Sequence, residues 1–271
     1  MRSIARLKPS REAKRDTGRS GASAQLARGT VIAAVSLAVA GGLLVYACSG
    51  PQTAAPSAGA PAVGSPARLP DGTTLLATLR GTAPRYPSPG RSPAGRVPGT
   101  WYGARSTLPV VASRPGWMQV RLARRPNGST AWIPASDVKL STTPYRIVVN
   151  LATTHLTLYK QDRKVFSAPV GVGTKTYSTP TGQYFLAFFE APPESSSGYG
   201  AFIMVTSAHS ETISNWAGSG DAVIGIHGPL DSSREIGTTG ARVSHGCIRL
   251  HEADLLRLRD VPPGTPIDIV R

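Results

Sequence analysis

From Thr74 onward the chain is cut into short apolar runs by proline and glycine, and this punctuation leaves room for strands and turns but not for long helices. LLATL, PVVAS, WMQVRL and AWIPASDV stand between Pro- or Gly-containing segments in the middle of the chain. Proline removes a backbone donor, and glycine loses the most conformational freedom when ordered. With 24 Pro and 29 Gly in 271 residues, turns and short strands are favoured throughout. Runs of this length that are rich in β-branched and aromatic residues read as β-strands. The expected fold class is mainly β, with few short helices.

The second half repeats the pattern more strongly. Residues 146–151 and 155–159 read as a first hairpin, with His155 on a strand face and without catalytic duty. Residues 164–172, 183–189, 202–206, 223–226 and 266–270 read as further strands. One helix is expected over 252–259, where leucines at 255, 256 and 258 precede Pro262-Pro263. In the middle segment, Asn127-Gly128 is a hairpin-turn signal, because both residues tolerate φ > 0.

Length allows about two domains. Residues 1–28 form a basic n-region and 29–48 an apolar transmembrane or signal segment, TVIAAVSLAVAGGLLVYA ending at Cys48. Its positive flank would stay in the cytoplasm while the rest is translocated. An uncleaved signal anchor is one reading. A lipoprotein box at Val45-Tyr46-Ala47-Cys48 is another, and simple secretion a third. Residues 49–73 are an Ala/Pro-rich linker that cannot bury a core. Residues 74–143 form one β domain and 144–271 a second. The expected location is the bacterial cell envelope, membrane-anchored, with the second domain outside the cytoplasmic membrane.

The net charge of +15 is uneven. Residues 1–28 hold eight Lys/Arg against two acidic residues, and 49–144 hold eleven against Asp71 and Asp137. Residues 145–271 hold eleven of each sign. Basicity therefore belongs to the leader and the middle segment, which argues against a nucleic-acid partner despite the high pI.

The chain has two cysteines, Cys48 and Cys247, in settings too different to suggest a disulfide. A lone thiol in an exported protein is prone to oxidation and mispairing, so its presence asks for a reason. Cys247 sits in Ser244-His245-Gly246-Cys247-Ile248-Arg249-Leu250, and upstream stands Ile226-His227-Gly228-Pro229, with sixteen residues between His227 and Ser244. A free thiol is only a few per cent thiolate at neutral pH, so a nearby histidine raises its reactivity. A glycine beside it lets backbone N–H groups approach a developing oxyanion. If the stretch is extended, Cys247 and Arg249 share a face, and Arg249 could clamp a substrate carboxylate.

These residues resemble the L,D-transpeptidases with the YkuD-type catalytic domain: a His-Gly, a spacer of this length, then Ser-His-Gly-Cys with an apolar residue and Arg. Gly171-Val172-Gly173 and Ser178-Thr179-Pro180-Thr181-Gly182 match the family's upstream stretches. The resemblance implies a β-sandwich-like catalytic domain with Cys247 as nucleophile and His227 as general base. The Gly228 carbonyl would orient the His227 ring, and N–H groups of His245, Gly246 and Cys247 would form the oxyanion hole. Ser244 and His245 would support the site, with Ser244, Gly246, Arg249 and Tyr199 facing substrate. Residues 191–220 match a flap over the substrate groove, in which Tyr199 and Trp216 could line the wall. Pro229 departs from the small hydroxyl residue often found there. Implied partners are peptidoglycan stem peptides as donor and acceptor, giving 3→3 cross-links, with no cofactor. Water as acceptor would make the enzyme an L,D-carboxypeptidase. Carbapenem sensitivity is also implied.

The middle segment, through Arg114–Val120 and Asn127–Trp132, resembles a bacterial SH3-like β-barrel, with Trp117 and Trp132 expected in its core. Arg121, Arg124 and Arg125 are candidates for contact with an anionic wall polymer, weighed against an ordinary solvated face. A zinc site from His227, His245, Cys247 and His251 fits no common spacing, so no metal is expected. His209 and His251 read as structural or surface residues. A non-catalytic wall-binding protein is the alternative from a different class.

Overall fold

The computed structural model describes residues 67–193, 198–238 and 240–271. The expected n-region, the apolar segment with Cys48 and most of the linker lie outside the described residues. Among the described residues no helix is long and apolar enough to cross a membrane.

The punctuated runs form strands, and the fold is mainly β. Thr74–Leu79 lies one strand in from the edge of a five-stranded antiparallel sheet whose central strand is Thr107–Arg114. On one side it pairs with Val138–Thr143, and on the other with Thr107–Arg114, followed by Trp117–Arg121 and Thr130–Pro134. Ala77, Leu79, Val110, Val120 and Ile133 fill its core. Trp132 is buried outside that cluster, with the Arg114 guanidinium 5.2 Å from its ring, and Trp117 is half-buried and meets Tyr86 edge-on at 4.9 Å.

The Asn127-Gly128 turn differs from its expected form. Residues 122–129 make a longer loop between the strands, and only Gly128 has positive φ, at 80°. Asn127 spends its side chain on another part of the chain instead. Its Oδ1 accepts from the His209 N–H at 2.9 Å, and its Nδ2 donates to the His209 carbonyl at 2.8 Å. Arg121 is likewise not on a solvated face. It is 1% exposed, and its guanidinium donates to Gln183 Oε1 at 2.9 Å, which takes it out of the set of polymer-contacting candidates.

The second sheet has eight strands and is mixed. Arg163–Pro169, His155–Lys160 and Tyr145–Asn150 form an antiparallel meander, and His155 sits exposed on its strand. The C-terminal strand Pro266–Val270 runs parallel to Tyr145–Asn150 and antiparallel to Gly182–Glu190, so both ends of this half meet mid-sheet. Ile203–His209, Val223–His227 and the short Ile248–Arg249 complete it, the last two parallel to each other. Val172–Gly173 pairs with Arg242–Ser244 beside that edge. The helix is shorter than expected, Glu252–Leu256, with turns beyond it, but its period holds: Leu255 and Leu258 are buried and Leu256 is exposed.

Gly182–Glu190 is apolar on both faces because both are covered. Tyr184 and Leu186 enter the core of the eight-stranded sheet, with Met204, Ile226 and Ile248. Phe185, Ala187 and Phe188 enter the core of the five-stranded sheet. The register breaks between Leu186 and Phe188, which is how Ala187 and Phe188 come to serve the same side. A strand covered twice reads as a continuous apolar run rather than an alternating one.

Candidate active site

The strand Val223–His227 lies one strand in from the sheet edge and is buried at its C-terminal end, where the residues singled out by their chemistry collect. Ile226 pairs with Ile248 and His227 with Arg249 across the parallel ladder. Cys247 therefore precedes the neighbouring strand by one residue, level with Gly225. The Gly225 N–H lies 3.4 Å from Cys247 Sγ. Cys247 is a free, partly buried thiol.

His227 is buried, and its Nδ1 lies 2.8 Å from the Gly228 carbonyl oxygen. A carbonyl can only accept, so Nδ1 carries the proton and Nε2 presents a bare lone pair. Gly228 must be glycine. A Cβ there would stand 2.7 Å from the backbone of 198–200, which the Gly228 N–H binds through the Tyr199 carbonyl at 2.6 Å. The same contact brings the Tyr199 ring to 4.8 Å from the imidazole.

Burial sets the protonation of the pair. It pushes the Cys247 thiol up, against the smaller downward pulls of the Gly225 N–H and the Arg249 charge. It brings His227 down to about 4, opposed by the Gly228 carbonyl and aided by Arg249. At neutral pH the resting pair is thiol and neutral imidazole, not a thiolate–imidazolium pair. Burial, followed by the Cys247 charge, also raises the Tyr199 phenol, which stays protonated.

The turn before Cys247 is fixed by two hydroxyls. Ser244 Oγ donates to the Cys247 carbonyl at 2.6 Å and accepts from the Gly246 N–H at 3.1 Å. Thr179 Oγ1 donates to the Gly246 carbonyl at 2.8 Å and accepts from the Gly173 N–H at 2.9 Å. Gly246 has φ 121°, and a Cβ on it would lie 2.9 Å from Ile224 Cδ1. The Gly246 N–H is thus occupied by Ser244, unlike its expected place in an oxyanion hole. The N–H groups of His245 and Cys247 meet no acceptor among the described residues.

His245 is exposed rather than buried beside the thiol. It lies between Tyr177, at 4.6 Å, and Trp216, at 5.5 Å between ring centroids. Arg249 is already paired: Nη1 donates to Asp231 Oδ1 at 2.9 Å and to Ser232 Oγ at 3.0 Å. Asp231 itself is 91% exposed. Thr179, Tyr177 and Asp231 had no assigned role in the sequence. Thr179 stood inside a noted motif, and Tyr177 stands two residues before it. Nothing local marked Asp231. No group of three or more His, Cys, Asp or Glu fit for a metal occurs among the described residues; His209 faces Asp221, and His251 stands before the helix Glu252–Leu256.

Residues 144–269 match the model of the YkuD L,D-transpeptidase catalytic domain. The YkuD protein of Bacillus licheniformis is 34% identical over 129 residues, covering 47% of this chain and 67% of that one. The YkuD protein of Bacillus subtilis is 30% identical over 131 residues, covering 48% and 68%. Among solved structures, the L,D-transpeptidase LdtMt1 in complex with imipenem shares 18% identity, with a TM-score of 0.39, covering 73% of this chain and 82% of that one.

Proposed function

The chain belongs to the YkuD family of L,D-transpeptidase catalytic domains, a family of cysteine-dependent acyltransferases acting on peptidoglycan stem peptides, and we propose that Cys247 is the acyl-accepting nucleophile of a 3→3 cross-linking enzyme. The observation that carries this reading is the Nδ1 bond of His227 to the Gly228 carbonyl, which leaves Nε2 as a base on the same strand end as the thiol.

In the first step Cys247 Sγ attacks the carbonyl of the third stem residue as His227 Nε2 takes the thiol proton. The carbonyl oxygen gains negative charge, and the His245 and Cys247 N–H groups are the donors that can receive it. The tetrahedral intermediate collapses to a thioester, and D-alanine leaves with the proton from His227. In the second step the side-chain amine of a neighbouring stem gives a proton to His227 and attacks the thioester, and the thiol is regenerated. Because the resting pair is neutral, proton transfer accompanies attack.

Arg249 is the proposed carboxylate site. Its present partner, Asp231, is almost fully in solvent, so that pair is weak enough for a substrate carboxylate to replace it. Tyr199, against His227, and Trp216, against His245, are the proposed walls of the groove. The proposed location is the cell envelope, with the N-terminal apolar segment holding this half outside the cytoplasmic membrane. Arg124 is left as the candidate for an anionic wall polymer, because Arg125, though also exposed, is engaged with Ser210, Ile213 and Asp221.

Intact mass after incubation with a tetrapeptide-stem muropeptide, or with a carbapenem, tests the nucleophile. An adduct on the parent and none on Cys247→Ala supports the reading. No adduct on either refutes it, and a protein that binds wall material equally well as Cys247→Ala would be a binder. Products formed with and without an acceptor stem separate transpeptidase from carboxypeptidase.

A further inference from the structure

The loop between Ile203–His209 and Val223–His227 carries Trp216 onto His245, two residues from Cys247. Trp216 is 42% exposed, so its own packing fixes it only weakly. Inside the loop the Trp216 N–H donates to the Asp221 carbonyl at 2.8 Å, and the Gly220 N–H to Asn215 Oδ1 at 2.9 Å. These bonds shape the tip but do not tie the loop down.

At its base the Ser210 N–H donates to the Ala222 carbonyl at 2.7 Å, and the five-stranded half adds further ties. Arg125 Nη1 donates to the Ser210 carbonyl at 2.7 Å and Nη2 to the Ile213 carbonyl at 3.1 Å, both at the loop's start. Arg125 Nε donates to Asp221 Oδ1 at 3.0 Å, at its end. One planar guanidinium therefore closes the loop across its base, and its fork geometry lets three acceptors be met at once. Asn127 adds the two bonds to the His209 backbone, extending the strand's pairing as a neighbouring strand would. Asp221 Oδ2 is 2.8 Å from the buried His209 Nδ1, so the carboxylate that Arg125 grips is itself anchored.

We propose that Arg125, aided by Asn127, is a positioning residue for substrate: it sets the loop that places Trp216, and through it one wall of the groove for an extended stem peptide. This rests on the reading of Cys247 as nucleophile. Arg125 touches neither the thiol nor His227, so the proposal separates two properties. Intrinsic reactivity of Cys247 is independent of Arg125. Productive seating of a long peptide is not.

The test compares Arg125→Ala, Arg125→Lys and Asp221→Asn with the full-length parent. The readouts are alkylation of Cys247 by iodoacetamide, kcat and KM for a tetrapeptide-stem muropeptide, and acrylamide quenching of Trp216, taken as the difference from matched Trp216→Phe proteins. Arg125→Ala is expected to raise KM about tenfold and Trp216 quenching at least twofold, with alkylation within twofold of the parent. Arg125→Lys, which reaches fewer acceptors, is expected to fall between. Asp221→Asn weakens the tie from the loop's own side by removing the charge while leaving one acceptor oxygen, and serves if Arg125→Ala does not fold.

An unchanged KM with unchanged quenching overturns the proposal. So does a parallel loss of alkylation, which would mean general unfolding of the site. If the parent itself forms no acyl adduct, the nucleophile reading fails, and the quenching comparison still decides whether Arg125 places Trp216.

Discussion

Thr179→Val is the sharpest perturbation of the site, because it removes one oxygen and no volume. Thr179 is buried, and its hydroxyl joins the Gly173 N–H to the Gly246 carbonyl. Valine leaves both groups without that partner. Each such group costs about 1–3 kcal/mol when buried, so a loss of about 2–6 kcal/mol in folding stability is expected. The chemical effect is separate. The Gly246 carbonyl belongs to the same peptide plane as the Cys247 N–H, a proposed oxyanion donor. Losing such a donor outright costs about 3 kcal/mol, a factor of about 10² in rate. Ser244 still holds the neighbouring Gly246 N–H and Cys247 carbonyl, so the plane tilts rather than swings free. Acylation should fall between about tenfold and a hundredfold, measured as single-turnover adduct formation on protein shown folded by circular dichroism. Thr179→Ser keeps both bonds and should stay within about threefold. A folded Thr179→Val protein acylated at the parent rate would refute the reasoning, as would a Thr179→Ser protein equally impaired.

Burial of His227 predicts an acid limb of acylation near pH 4 rather than near the ordinary histidine value of 6.5. The same depression makes stability unaffected above pH 6.5 and progressively lost as pH falls toward 4, by up to about 3 kcal/mol, because the unfolded chain takes the proton first. His227→Gln should lack that part of the slope in pH-dependent melting. Gly228→Ala must displace the Tyr199 segment, whose backbone lies 2.7 Å from the added carbon, so adduct formation should drop at least tenfold with a lowered melting temperature. Removing residues 67–143 uncovers Phe185, Ala187, Phe188 and Val205. The truncated protein should aggregate or bind a hydrophobic dye where the full chain does not.

Much of the strand content was legible because apolar runs between Pro and Gly have few other uses. The hairpin 145–160 and the strands at 182–190 and 223–227 follow that logic. The His-Gly and Ser-His-Gly-Cys stretches were legible because unusual residue types stand at short spacing. Partners made by the fold were not. Asp231 reaches Arg249 from across a loop, and Arg121 reads as a solvated charge until Gln183, 62 residues away, is brought to it. Asn127-Gly128 misled for a related reason: a turn-forming pair was used for its side chain, on a backbone 82 residues distant.

The doubly covered strand Gly182–Glu190 also governs the order in which the chain can fold. Residues 74–143 leave the ribosome before that strand, yet their apolar centre includes Phe185, Phe188 and Val205. The first sheet to be synthesised must therefore wait, incomplete, for side chains that emerge much later. Its folding is limited by a long-range closure rather than by local pairing. Until that closure, both faces of the waiting strand and the uncapped sheet are open to a holdase or to another copy of the chain.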